Sequence, residues 1–195
     1  MTPAPFLCTT FATPMLTATT VPLLRLCATV PFPGTPAYTT SIPDPLTPAP
    51  SRVAIAWAGA FDGTGAPAVG AVASVLSVED GVLRCEAVER CTLTTTAAVE
   101  CGLPLVDVQP LADAAEPAEA SASVALHEEL RVALQELAEV NEDLQLWPPL
   151  LAAATPSEFS LALAGSVVLE PRAQQRLLEC TSTAARLEEL KELVE

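Results

Sequence analysis

The spacing of apolar positions changes twice along this chain, and each change marks a different kind of element. Over residues 51–111 the apolar runs are short and end at turn residues. Arg52 to Ala58 is one such run, closed by Gly59, and Val69 to Val78 is the next. The FDGTGAP segment between them reads as a loop that bends at Gly63, Gly65 and Pro67. Asp80-Gly81 then predicts a tight hairpin, because a type I′ turn needs positive φ at both central residues. Beyond it, Leu83, Cys85, Ala87, Cys91 and Leu93 fall on one face, and Arg84, Glu86, Arg90 and Thr92 on the other. That alternation predicts a half-buried antiparallel strand. Leu105 to Leu111 is the expected last strand. Short strands with frequent turns predict a small β barrel or sandwich.

From Val124 the period lengthens. Leu126, Leu130, Leu134, Leu137, Val140 and Leu144 recur at steps of three and four, with Glu128, Glu129, Glu136 and Glu139 between them. This is the pattern of an amphipathic helix, and Pro148-Pro149 must end it. Residues 112–123, poor in bulky side chains, read as a connector or the frayed start of that helix. Thr155-Pro156-Ser157-Glu158 is a capping box with proline at the first helical position. The helix it opens should bury Phe159, Leu161, Leu163 and Val167. Glu170-Pro171 starts another that buries Leu177 and Leu178. Thr181 or Ser182 caps the last, with Leu187, Leu190 and Val194 as its apolar stripe. Four helices on short links predict a compact bundle.

The first 50 residues follow neither pattern. They hold 11 of the 19 prolines and only two charges, Arg25 and Asp44, so extended chain, edge strand and loop are expected there. Leu23, Leu24, Leu26 and Val30 predict one short strand before a Pro31-Phe32-Pro33-Gly34 turn. The first 20 residues are uncharged and rich in Thr, Ala and Pro. They read as a disordered extension, a short plastid-type leader being the alternative.

Charge narrows the choice of partners. The net charge is −15, and all acidic residues except Asp44 and Asp62 lie at or after Glu79. Lys191 is the only lysine and the eight arginines form no patch, which argues against nucleic acid. Solubility is the simpler reading of the acidity; a preference for basic partner segments is the functional one. No apolar stretch approaches the ~18 residues of a membrane helix. None of the six cysteines makes a CxxC pair, and His127 is the only imidazole, so no metal site or cofactor is expected. Cys85 and Cys91 are too far apart on one strand to bridge, and a Cys91–Cys101 cross-strand bridge is left open. Reduced, buried thiols in an intracellular protein, cytoplasmic or organellar, are the simpler reading.

The chemistry of catalysis is missing from this pattern. There is no GxxxxGK[ST] phosphate loop. Lys191 sits in a helical surface pattern, three residues after Glu188, and reads as half of a surface ion pair. A lone His127 among acidic residues gives a thiol no positive surroundings. The chain is therefore expected not to be an enzyme. Trp57 reads as core, and Trp147, just ahead of Pro148-Pro149, as a packing residue between subdomains or an exposed anchor.

Three segments together resemble the N-terminal, substrate-binding domain of Lon proteases. Pro22-Leu23-Leu24, Leu26, Val30 and Phe32-Pro33-Gly34 are similar to its opening, although Cys27 and Ala28 replace the usual polar pair. Val69-Gly70 with Ala71-Val72-Ala73, then Glu79-Asp80-Gly81 and Val88-Glu89-Arg90, are similar to its central hairpin, with Ala87 where a glycine is usual. Gln174 or Gln175 with Leu177-Leu178-Glu179, then Arg186-Leu187, are similar to its close. The resemblance covers residues 21–195 in the family's order. It implies an α+β fold: a pseudouridine-synthase-and-archaeosine-transglycosylase-like (PUA-like) β barrel over 21–113, then a helical bundle over 114–195. It implies a non-catalytic module that recognises unfolded or degron-bearing polypeptides, standing without ATPase or peptidase segments. The alternative is a structural or regulatory adaptor of a separate protease or ubiquitin ligase. Phe32, Phe61 with the 59–68 loop, and Trp147 are the expected polypeptide contacts. Arg90 is assigned either to that contact or to anchoring the barrel.

Overall fold

The computed structural model describes residues 19–35, 37–42, 50–61, 66–100, 102–114, 117–140, 150 and 153–194. Six strands come first: β1 (Thr19–Leu26), β2 (Tyr38–Ser41), β3 (Arg52–Trp57), β4 (Ala68–Glu79), β5 (Val82–Glu100) and β6 (Leu103–Pro110). Helices follow: α1 (Pro117–Val140), α2 (Pro156–Ser166), α3 (Pro171–Glu179) and α4 (Thr183–Val194). The strand order is β2-β5-β4-β3-β1-β6, and β6 also pairs with β5. Five strands thereby close into a ring, and β2 hangs on the Val82–Cys85 end of β5. Among the described residues only the β1–β3 pairing is parallel. The α+β barrel-and-bundle architecture is the one expected.

Local chemistry explains several of these elements. Asp80 and Gly81 take φ of 50° and 74°, as the β4–β5 hairpin requires. The α2 capping box is complete: Thr155 Oγ1 accepts from Glu158 N at 3.2 Å, and Glu158 Oε2 accepts from Thr155 N at 3.0 Å. Ser182, the later of the two candidate caps, accepts from Ala185 N at 3.1 Å and starts α4. β3 shows no alternation because both its faces are buried. Val53 and Ile55 join Ala71, Ala73, Leu83, Cys85 and Ala87 in one apolar cluster. Ala54 and Ala56 join Val21, Leu23, Val72, Cys91, Leu93, Val106 and Val108 in another.

That division corrects the single-face reading of β5. Val72 pairs with Glu89 and Ala73 with Ala87, so Val88 is an extra residue, a β-bulge. A bulge flips the phase of a strand. Leu83, Cys85 and Ala87 therefore enter one cluster, and Cys91 and Leu93 the other. Arg90, expected on a solvated face beside Arg84 and Glu86, instead pairs with Ala71 and is 4% exposed.

A third cluster fills the bundle. It contains Leu130, Leu134, Phe159, Leu163, Leu177, Leu178, Leu187 and Leu190, and also Val30 and Phe32 from the segment after β1. Val30, expected in the strand, lies past its end. α1 begins at Pro117, ahead of the expected start. Its Leu130 and Leu134 are buried as expected, but Leu137 is 45% exposed. Lys191 pairs with Glu129 of α1 at 2.6 Å, so the bridge ties two helices together. Cys91 is a free thiol, so the Cys91–Cys101 bridge left open from the sequence is not formed; Cys101 lies outside the described residues.

Candidate polypeptide-binding surface at the barrel–bundle seam

Two constructions hold the barrel against the bundle. The first centres on Asp113, three residues past β6. Its Oδ1 accepts from Arg90 Nη2 at 2.5 Å and from Arg186 Nη1 at 3.2 Å. Its Oδ2 accepts from Arg186 Nη2 at 2.8 Å, from Thr183 Oγ1 at 2.8 Å and from Ser157 Oγ. β5, α2 and α4 thus meet on one carboxylate. Two guanidiniums against one carboxylate leave an excess positive charge in a buried place. Backbone carbonyls absorb it: Arg90 donates to Leu111, Leu178 and Cys180, and Arg186 donates to Cys180 at 2.6 Å. Leu178 and Cys180 lie at the C-terminal end of α3, where the helix dipole is negative. Burial alone would raise the Asp113 carboxyl, but the hydrogen bonds and charge of Arg186, with Ser157 and Thr183, outweigh it and hold it near about 2. Burial lowers the Arg90 guanidinium from its ordinary value, and Asp113 opposes that shift.

The second construction is the turn at Phe32–Thr35. Thr35 Oγ1 donates to Phe32 O at 2.6 Å, and Phe32 N donates to the Tyr38 hydroxyl at 2.9 Å. Burial raises the Tyr38 phenol, against the hydrogen bonds of Thr35 and Phe32. α2 lies directly on this turn. A Cβ on Gly165 would sit 2.0 Å from Thr35 Cγ2 and 2.9 Å from Phe32 Cβ, so only glycine admits the contact.

Where the turn, the bulge and the start of α2 converge, a groove of about 490 Å³ opens. Pro33 and Gly34 form one wall, Val88 of the bulge a second, and Leu161 and Ala162 a third. Glu158 is the only ionisable side chain among its described lining residues. Its volume falls in the range of small ligand or side-chain sites, about 300–1,000 Å³. Val88 is 54% exposed, as Leu76 of β4 and Val99 of β5 also largely are, and among these it is Val88 that lines this groove.

Of the four residues singled out from sequence, the three that are described, Phe32, Phe61 and Arg90, do not come together. Phe32 is 0% exposed and belongs to the bundle core, so it packs the seam and offers no surface. Arg90 takes the anchoring role, being wholly engaged in the Asp113 knot. Phe61 is half-buried against the Cys91–Leu93 cluster, and the Arg25 guanidinium lies 4.6 Å from its ring centroid. Trp147 and residues 62–65 lie outside the described residues. Val88, Pro33, Leu161 and Asp113 were missed. One signal existed: an unbroken alternation past Ala87 would bury Glu89, and that conflict marks the bulge.

Acid–base and metal chemistry find little support. Burial pushes the Cys85 and Cys91 thiols up to about 11 and about 12, so neither is a thiolate near neutral pH. His127 stacks on Phe159 with ring centroids 4.5 Å apart. Among the described residues no three His, Cys, Asp or Glu side chains are grouped to hold a metal ion. None of the described helices is long and apolar enough to cross a membrane.

The ring of five strands, the attached edge strand and the helices on one seam form a fold shared with Lon protease N-terminal domains. Among solved structures, the N-terminal domain of the Mycobacterium avium complex Lon protease superposes with a TM-score of 0.58 at 18% identity, covering 90% of this chain and 98% of that one. A Lon N-terminal domain protein from Xanthomonas campestris superposes with a TM-score of 0.52 at 19% identity, covering 89% and 98%. No protein-family model matches the chain, and no curated protein matches it.

Proposed function

We propose that this chain is a polypeptide-binding module that receives an extended apolar segment in the seam groove. The observation that carries this reading is the groove itself, with its apolar walls supplied by both parts of the chain and an exposed valine at a β-bulge. Bulges next to sites commonly re-aim one side chain. The likeness in fold to Lon N-terminal domains, and the role in recognising unfolded or degron-bearing chains that the sequence resemblance implies, support the same reading. The module acts by binding, not by catalysis. Replacing Val88, an exposed residue, by Asn should leave the fold intact and weaken binding of a reduced, alkylated, permanently unfolded protein. Loss of one aliphatic contact corresponds to about five- to tenfold in affinity. Unchanged affinity in Val88→Asn, or no binding by the native chain, overturns the assignment.

A second reading, an adaptor of a separate protease or ligase, is favoured by one observation. α1 leaves Val124, Val132 and Leu137 exposed on an otherwise acidic helix. Salt-sensitive co-purification with a larger partner, without binding to unfolded chains, would favour it.

A further inference from the structure

The groove's electrostatics specify the kind of segment it takes, an inference that rests on the binding role just proposed. Glu158 faces the groove and is exposed. Its two capping-box bonds, from Ala154 N and Thr155 N, both use Oε2, and Oε1 takes part in neither. The N-terminus of α2 opposes its charge, but a helix end carries only about half a unit of positive charge. This end of the groove therefore stays negative. No Lys or Arg is among the described lining residues. The nearest arginine in sequence, Arg90, turns away and spends its charge on Asp113 and three carbonyls. Beyond the site, a net charge of −15 biases every encounter toward cations.

We infer that the groove selects extended segments whose apolar residues are flanked by Lys or Arg, and rejects those flanked by Asp or Glu. Apolar residues occupy the walls formed by Pro33, Val88, Leu161 and Ala162, and a flanking cation lies against Glu158. Three labelled peptides test this, sharing one apolar centre and differing only in flanking Lys, Ser or Glu. Fluorescence anisotropy should rank them Lys, then Ser, then Glu, with the spread shrinking as salt rises. Glu158→Gln keeps a capping-box side chain at that position. It should lower the ratio of Lys-peptide to Ser-peptide affinity by about two- to fivefold, the size of a partly exposed ion pair. Val88→Asn should weaken all three peptides alike. Equal affinities for the three peptides at low salt overturn this inference while leaving the binding role standing. An unchanged ratio in Glu158→Gln overturns it as well. Binding of none of the peptides overturns both.

Discussion

Asp113 receives five hydrogen bonds from four side chains, and its neighbours make it more than one ion pair among several. Arg186 is fully buried, and Arg90 nearly so. Removing the carboxylate leaves two guanidiniums in low dielectric with only hydroxyls and carbonyls to face. Breaking a buried pair from one side costs about 3–5 kcal/mol, so Asp113→Asn should lose that much in urea unfolding at neutral pH. Acid provides a second check. The carboxyl is lowered from 3.8 to about 2 in the folded chain. A depressed carboxylate contributes stability that is complete above its unfolded value and is lost as pH falls through its folded value. The shift corresponds to about 2 kcal/mol. The stability gap between the native chain and Asp113→Asn should therefore narrow between about pH 4 and pH 2, because only the native chain loses that contribution there. A gap that stays constant over this window shows that the knot does not govern the acid response.

Elements whose start or end depends on neighbouring residues were legible in the sequence. Asp80-Gly81 declares its hairpin, Thr155 to Glu158 its helix start, and Leu187 and Leu190 their buried stripe, because each signal lies within a few residues. Long-range events were not legible. Phe32 sits in a Pro-Phe-Pro-Gly turn, which reads as surface, yet it is buried because α2 arrives from more than a hundred residues away. The groove draws on residues 33–34, 88 and 153–162, and no local pattern joins those three stretches. Arg90 was misplaced because one inserted residue, Val88, reverses the faces of everything after it on β5. The contact that hides Phe32 makes its own prediction. Glycine to alanine inside a helix ordinarily gains about 1 kcal/mol. At Gly165 the added methyl meets Thr35 Cγ2 at 2.0 Å, and overpacking of this kind costs about 1–3 kcal/mol. Gly165→Ala should lower the thermal midpoint. Adding Thr35→Ser removes the opposing methyl, keeps the hydroxyl that donates to Phe32 O, and should recover part of the loss. Strict additivity of the two substitutions would show that the two residues do not meet.

At the scale of the molecule, barrel and bundle are hard to separate, although their sequence patterns differ so plainly. The apolar cluster of the bundle includes Val30 and Phe32, and Trp57 and Val69 pack against it from the ends of β3 and β4. Gln175 of α3 donates to Val69 O at 3.0 Å, and Ala114 N donates to Thr181 O at 2.8 Å. A cut after Ala114 would expose Phe32, whose burial contributes about 1.5–3 kcal/mol. It would also deprive Arg90 of the Leu178 and Cys180 carbonyls. On the other side it would leave Arg186 without Asp113, a buried charge with no counter-ion. Folded domains retain only about 5–15 kcal/mol of net stability, and these losses fall in the same range. Residues 19–114 and 115–195, expressed separately, should each lack a cooperative thermal transition. The intact chain should unfold in one step, with calorimetric and van't Hoff enthalpies in agreement. Because the groove walls come from both pieces, affinity for an unfolded chain should vanish in either fragment and return only if the two reassemble. A barrel fragment that unfolds cooperatively and still binds would place the recognition surface on the strands alone, away from the Val88 seam.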